Sequence, residues 1–294
     1  MANQMNSRGN LMGSIKLSTP VQDYTGERLV TEICNANTVE HLHRYALAMS
    51  MCKDLDILDI ASGEGYGSNL LAGLAKSVTG VDISEKIVEH AKKKYQKTNL
   101  KFIRGHAEEI PLETASVDAV VSFETIEHHD KHEEMFLEIK RVLRPNGFLL
   151  MSTPDKNNFQ DDTNVFHVKE LTLEEFSSLA RRYFKNVHIF SQKISYGSLI
   201  APGNSTGFVH YSGHYYQIEA AAALDLPSYN LCLASDDRLP YFPVSFFDGL
   251  AILEKLVDSY RNSVSLRLGL FLTWPLRIIY DFIANKFIKK NNVL

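Results

Sequence analysis

The stretch Asp56-Ile57-Leu58-Asp59-Ile60-Ala61-Ser62-Gly63-Glu64-Gly65-Tyr66-Gly67-Ser68 constrains this chain more than any other. Ile57, Leu58 and Ile60 form a short apolar run of the kind that makes a buried strand. The glycines that follow permit positive φ and a close approach of backbone to a ligand. A helix opening near Tyr66 would turn its positive end toward whatever lies in the turn. Val78-Thr79-Gly80-Val81-Asp82 then repeats an apolar run and ends it in an acid. A carboxylate at that point is placed to accept hydrogen bonds from ribose hydroxyls. Strand, glycine turn, helix, strand and acid make one nucleotide-binding half.

The alternation continues. Strands are predicted near 55–60, 77–82, 100–104, 117–123 and 147–152, with helices near 66–76, 84–96 and 131–143. Such alternation implies an α/β fold, a parallel sheet with helices on both faces. Thr172 with Glu175 three residues on is a capping box that opens a helix over Leu173–Tyr183. Val187–Ile194 and Tyr229–Ala234 read as a sixth and seventh strand, separated by an insertion over 195–228. Leu42, Tyr45 and Leu47 have helical spacing in Glu40–Ala48, which predicts a helix; its mix of polar and aromatic groups suits a lid over the nucleotide, and an ordinary packing helix is the alternative. The expected division is an N-terminal segment 1–39, a nucleotide-binding domain 40–236 and a C-terminal extension 237–294.

A dinucleotide fingerprint wants G-x-G-x-x-G and a second mononucleotide half. Here the glycines are spaced G-x-G-x-G, an acid lies on the strand before them, and no second half follows residue 150. The formal charge of −4 and the lack of a Lys/Arg stripe exclude DNA as a partner and speak against RNA. Cys34, Cys52 and Cys232 are odd in number and scattered, which suits a reducing compartment. With no basic-then-apolar leader and no run of about 20 apolar residues, a cytoplasmic location is expected.

Taken with Gly105–Leu112, Ser116–Ser122 and Arg141–Gly147, these motifs resemble class I S-adenosylmethionine-dependent methyltransferases of the small-molecule type over roughly residues 40–195. The resemblance implies a Rossmann-like sheet of seven strands, the last antiparallel, and S-adenosyl-L-methionine as cofactor. It implies that Asp59 and Ala61 belong to the cofactor turn, Asp59 anchoring the turn or the cofactor amine. Gly63 and Gly65 would pass under the methionine part, Asp82 would hold the ribose and Ile83 the adenine. Ala107 and Glu108 would meet the adenine rim, and Ser122 and Phe123 would face the methyl group. His106 stands where family members often carry an acid.

On the acceptor side, Glu124-Thr125-Ile126-Glu127-His128-His129 follows the fourth strand, and strands of this fold present their carboxyl ends to the active site. A helical turn there puts Glu124 and Glu127 on one face, with His128 beside them. His167 lies after the fifth strand. Glu-x-x-Glu-His plus a later His resembles the metal site of methyltransferases acting on catechol-like quinone precursors or on a terminal ribose hydroxyl of RNA. The resemblance implies a divalent metal, Mg, Mn or Zn, on Glu124, Glu127, His128 and His167. The alternative is a metal-independent turn in which His128, His167 and Glu124 position the acceptor or take its proton.

Glu40–Tyr45, Phe166–Leu171 and Ser235-Asp236-Asp237 resemble methyltransferase domains associated with surface-polysaccharide (O-antigen or capsule) biosynthesis. That implies a glycan sugar or sugar-phosphate hydroxyl as acceptor. The glycines, tyrosines and histidines of 196–216 suit sugar recognition and suit mere cover equally. A quinone-type phenol at the membrane is the alternative acceptor, and a non-catalytic subunit that binds the cofactor is the alternative of another class. Pro275 divides the apolar run Leu266–Ile288 into two helices. The second spans roughly 20 Å, too short to cross a bilayer. Trp274, Lys286, Lys289 and Lys290 suit an anionic membrane face, so 262–294 is expected to touch a membrane surface or a second copy, the alternative being a helix packed on the domain itself. The enzyme would then sit peripherally on the inner face.

Overall fold

The computed structural model describes residues 29–31, 36–158, 164–194, 198–202, 210–214, 217–221, 227–240, 242–264, 266 and 268. Tyr196, Tyr215, Tyr216 and the tail 269–294, on which expectations above rest, lie outside them.

The strands are β1 (Asp56–Ile60), β2 (Ser77–Asp82), β3 (Leu100–Arg104), β4 (Val117–Phe123), β5 (Leu143–Pro154), β6 (Asn186–Ile194), β7 (Ser198–Pro202), β8 (His210–His214), β9 (Gln217–Ala221), β10 (Tyr229–Ser235) and β11 (Ser245–Phe247). The helices are α1 (Ala36–Met49), α2 (Tyr66–Leu71), α3 (Glu85–Lys94), α4 (His132–Val142), α5 (Leu173–Tyr183) and α6 (Leu250–Asn262). The main sheet runs β11-β7-β6-β10-β5-β4-β1-β2-β3. Its seven strands from β3 to β6 are those predicted, and β10 is antiparallel to both β5 and β6. β7 and β11 extend that edge from within the insertion and the C-terminal extension, so the sheet runs past residue 236. β8 and β9 pair as a separate hairpin.

Period-2 alternation sorts side chains onto two faces. Leu58 and Ile60 of β1 pack with Phe136, Ile139, Phe176 and Leu179 of α4 and α5. Ile57 packs on the other side with Tyr45, Ala48 and Leu71 of α1 and α2. α5 opens on the capping box, the Thr172 hydroxyl accepting from Glu175 N at 3.2 Å and Glu175 Oε2 accepting from Thr172 N at 2.9 Å. α2 ends at Leu71 rather than near 76, its last carbonyls taken up by tight turns through Ala75.

β1 pairs with β2 on one side and with β4 on the other, so connections leave in opposite directions and a crevice opens at the strands' carboxyl ends. Ala61 after β1 and Glu124 after β4 flank it with φ of 56° and 52°. Two non-glycine residues in the left-handed region, at adjacent strand ends, mark where the sheet holds backbone strain. Among the described residues no helix is long and apolar enough to cross a membrane.

Candidate active site

A cleft of about 450 Å³ occupies the crevice, within the range of small-ligand sites. Its wall includes Ala61–Glu64, Asp82, Ile83, Gly105–Glu108, Phe123–Thr125, His128, His129 and Phe166, and α1 covers it with His41 and Tyr45. Asp82 is 4% exposed, and its Oδ2 and Oδ1 accept from Gly63 N at 3.0 Å and Ser84 N at 2.9 Å. Each carboxylate oxygen has a second lone pair, so both can also accept from a ribose diol. Gly63 has φ +54°, and nothing lies within 4 Å of where its Cβ would be. Backbone thus borders open cleft there, as a cofactor passing over the turn requires. Ile83 is 54% exposed on the same wall, an apolar surface suited to a flat base. These features fit S-adenosylmethionine.

Of the residues expected around the cofactor, Asp59 takes the turn rather than the amine, and Ser122 and Gly65 stand away from the cleft. Asp59 is buried on the α1/α2 face, where it accepts from Ser68 Oγ at 2.6 Å and Tyr45 Oη at 3.3 Å. It anchors the turn and does not line the cleft. Ser122 is fully buried, because its neighbour Phe123 takes the cleft side of β4. A Cβ on Gly65 would meet Phe102 at 2.7 Å, so that glycine serves packing against β3. Gly67 is helical, and its missing Cβ makes room for the Tyr45 ring. Ala107 and Glu108 do line the cleft.

At the acceptor end, Glu127, His128 and His167 each offer a ligand atom within 4.8 Å of the others. Glu127's carbonyl accepts from Val168 N at 2.8 Å and Lys169 N at 3.1 Å, which holds the His167 segment against this turn. His128 Nδ1 lies 3.0 Å from the Phe166 carbonyl. A carbonyl only accepts, so Nδ1 carries the proton and Nε2 is left as the acceptor. His167 Nδ1 meets Glu170 Oε1 at 2.5 Å, the same arrangement with a carboxylate. Glu127 is fully buried, its Oε1 has no hydrogen-bond partner among the described residues, and burial, then Glu124, push its carboxyl well above the usual range.

Glu124 is not part of that cluster. Its Oε1 lies 3.0 Å from Arg44 Nη1 and accepts from Ser152 Oγ at 2.6 Å. Arg44 is 0% exposed. Its Nε donates to Gln192 Oε1 at 2.7 Å and its guanidinium lies 4.3 Å over the Tyr229 ring. The Nη1 contact is an ion pair too bent for a hydrogen bond. Burial disfavours the charge, but Glu124 and Glu40 outweigh it and raise the guanidinium's pKa. Sequence reasoning missed Arg44, Gln192 and Tyr229. The only signal available was a basic residue among the apolar positions of α1.

Burial pushes the Asp59 carboxyl up to about 7. A carboxyl raised in the folded state contributes stability that is full below its unfolded pKa of about 4 and lost as pH rises through 7. Asp59→Asn does not ionise, so its cost in melting temperature should be smaller at pH 8 than at pH 5.5. Only the difference between the two proteins isolates this, because His41 and His43, pushed down to about 3 and about 4 by burial, carry the opposite sign. A cost independent of pH would show that Asp59 does not titrate in this window.

Residues 58–151 match a family model described as a methyltransferase domain. A probable S-adenosylmethionine-dependent methyltransferase of Mycolicibacterium smegmatis is 37% identical over 161 residues, 53% of this chain and 62% of the relative. A phthiotriol/phenolphthiotriol dimycocerosates methyltransferase of Mycobacterium ulcerans is 26% identical over 166 residues, 54% of this chain and 61% of the relative. A solved SAM-dependent methyltransferase of Thermotoga maritima, titled a possible histamine N-methyltransferase, aligns with a TM-score of 0.51 at 19% identity, covering 68% of this chain and 90% of that one. The fold is that of the class I methyltransferases. The chain spans 62% and 61% of the lengths of the two curated relatives, less than two thirds of either.

Proposed function

We propose that this chain transfers the methyl group of S-adenosylmethionine to an acceptor hydroxyl, with His128 as general base. The observation that carries the reading is the His128 Nδ1 contact with the Phe166 carbonyl, which leaves Nε2 as acceptor in the cleft wall. The cofactor supplies an electrophilic methyl: the hydroxyl oxygen bonds to it, the carbon–sulfur pair stays on sulfur, and the proton passes to Nε2. Asp82 and the Gly63 turn hold the cofactor, while α1 excludes water and helps fix the line of attack.

The donor set also supports a metal reading, favoured by Glu127 Oε1, which has no hydrogen-bond partner among the described residues. Glu127, His128 and His167 would hold a divalent cation, with the His167 Nδ1–Glu170 pair as its supporting contact. Such a cation would lower the pKa of a bound hydroxyl. Glu124, committed to Arg44, is left out of this ligand set.

The acceptor we propose is a sugar or sugar-phosphate hydroxyl of a surface glycan, following the sequence resemblance. A lipid-borne phenol or alcohol is the second reading. It is supported by the exposed apolar run around the cleft-lining Phe166, where Val165, Phe166 and Val168 are 85%, 45% and 61% exposed. The Mycobacterium ulcerans relative is named for phthiotriol and phenolphthiotriol dimycocerosates.

Methyl-labelled S-adenosylmethionine offered with glycan-lipid and quinone-precursor pools tests all three points. Label should enter one pool, and His128→Gln should cut the rate by about 10²–10⁴-fold while leaving cofactor affinity nearly unchanged. Turnover that survives excess chelator removes the metal reading. Full turnover in His128→Gln removes the base.

A further inference from the structure

α6 has three sides. Ile252, Leu256, Ser259 and Ser263 turn toward the domain, Leu256 being buried. Glu254, Lys255, Asp258 and Arg261 form a charged side with equal numbers of each sign. The third side is apolar and open. Leu250, Leu253, Val257, Tyr260 and Val264 recur at spacings of three and four residues and are 54%, 36%, 37%, 41% and 80% exposed. That spacing stacks them along one face of a helix. Phe246, just upstream, is 64% exposed, and Leu266 and Leu268, just downstream, are 42% and 57% exposed. A run of this kind is larger than the scattered apolar exposure ordinary on a monomer.

We infer that α6 lays this stripe on an anionic bilayer surface. The sequence that follows supplies the attraction. Residues 265–294 carry five Arg and Lys against a single acid, Asp281, in a chain whose net charge is −4. An apolar helix face followed in sequence by basic residues is the chemistry that binds an interface carrying negative lipid. β11, immediately before α6, is tied to the cleft helix α1, His43 Nε2 lying 3.0 Å from Ser245 Oγ and the His43 ring 6.0 Å from Phe247. Docking through α6 therefore holds the cleft close to lipid. The inference stands apart from the chemistry of the cleft, and its failure would leave that reading intact.

The test is flotation of the full chain with vesicles of phosphatidylcholine alone or with roughly one third phosphatidylglycerol, with light scattering on the same samples. The protein should float with the anionic vesicles only. L253D/V257D should lose at least about tenfold in bound fraction, with its melting temperature and cofactor affinity unchanged. Since both positions are exposed, the double variant should fold, and Tyr260→Glu serves as an independent second variant. Wild type that stays down with both vesicles overturns the inference. So does equal flotation of wild type and both variants. A dimeric wild type that L253D/V257D makes monomeric, without flotation, overturns it in favour of a second copy on the stripe.

Discussion

Arg44→Met is expected to lower the unfolding free energy of the ligand-free protein by about 3–5 kcal/mol, the cost of breaking a buried ion pair from one side. Arg44 is 0% exposed, and the side chain of Glu124 is 17% exposed. Removing the guanidinium leaves Glu124 with only the Ser152 hydroxyl and Gln192 Oε1 without its 2.7 Å donor. Gln192 Nε2 also donates to the Glu40 carbonyl at 3.1 Å, so loosening it loosens α1 over the cleft. Glu124→Gln placed in the Arg44→Met background should recover part of the loss, because the stranded charge is then gone. A double-mutant cycle by urea denaturation reads the coupling directly. Losses that simply add would mean that the pair is not the link between α1 and β4.

Gly67→Ala should cost about 3 kcal/mol, the upper part of the range for overfilling a packed core. Its Cβ would sit 1.9 Å from Tyr45 Cζ and 2.2 Å from the hydroxyl. Tyr45 is held in place. Its ring is edge-on to Tyr66 at 5.5 Å and to Phe123 at 5.0 Å, and its hydroxyl is held by Asp59. Because Tyr45 lines the cleft, cofactor affinity should fall with stability. Gly63→Ala makes the contrast. Open space surrounds that Cβ, so the change costs roughly 1 kcal/mol for φ +54°, while its methyl intrudes where the cofactor passes. Denaturation and calorimetric titration of both variants should therefore separate, Gly67→Ala losing both properties and Gly63→Ala chiefly binding. Equal stability losses would contradict the assignment of the two glycines.

The alternation of apolar runs and glycine turns made the central sheet readable, and the Thr172–Glu175 box marked the start of α5. Those are local signals. What stayed hidden depends on phase and distance. Alternation along β1 and β4 is visible, but which face meets the cleft is not, so sequence alone leaves Asp59 between the turn and the cofactor amine and sets Ser122 toward the methyl group. Three glycines in a row look alike, although one borders open cleft, one packs on Phe102 and one on Tyr45. Arg44 reaches Gln192 across 148 residues, and no sequence spacing announces that pair. Glu124 and Glu127 suggested one ligand group. The positive φ at Glu124 turns its carboxylate to Arg44 instead, while Glu127 turns into the core beside His128.

Calorimetric titration of S-adenosylmethionine into wild type and Asp82→Asn tests whether the crevice binds this cofactor through Asp82. Asparagine offers one carbonyl to the two amides of Gly63 and Ser84 and puts an NH₂ against the other. Wild type should bind at one site per chain, and Asp82→Asn should lose about 100-fold or more in affinity, two charge-assisted hydrogen bonds being at stake. No heat of binding in the wild type, or equal affinity in the two proteins, would contradict binding through Asp82.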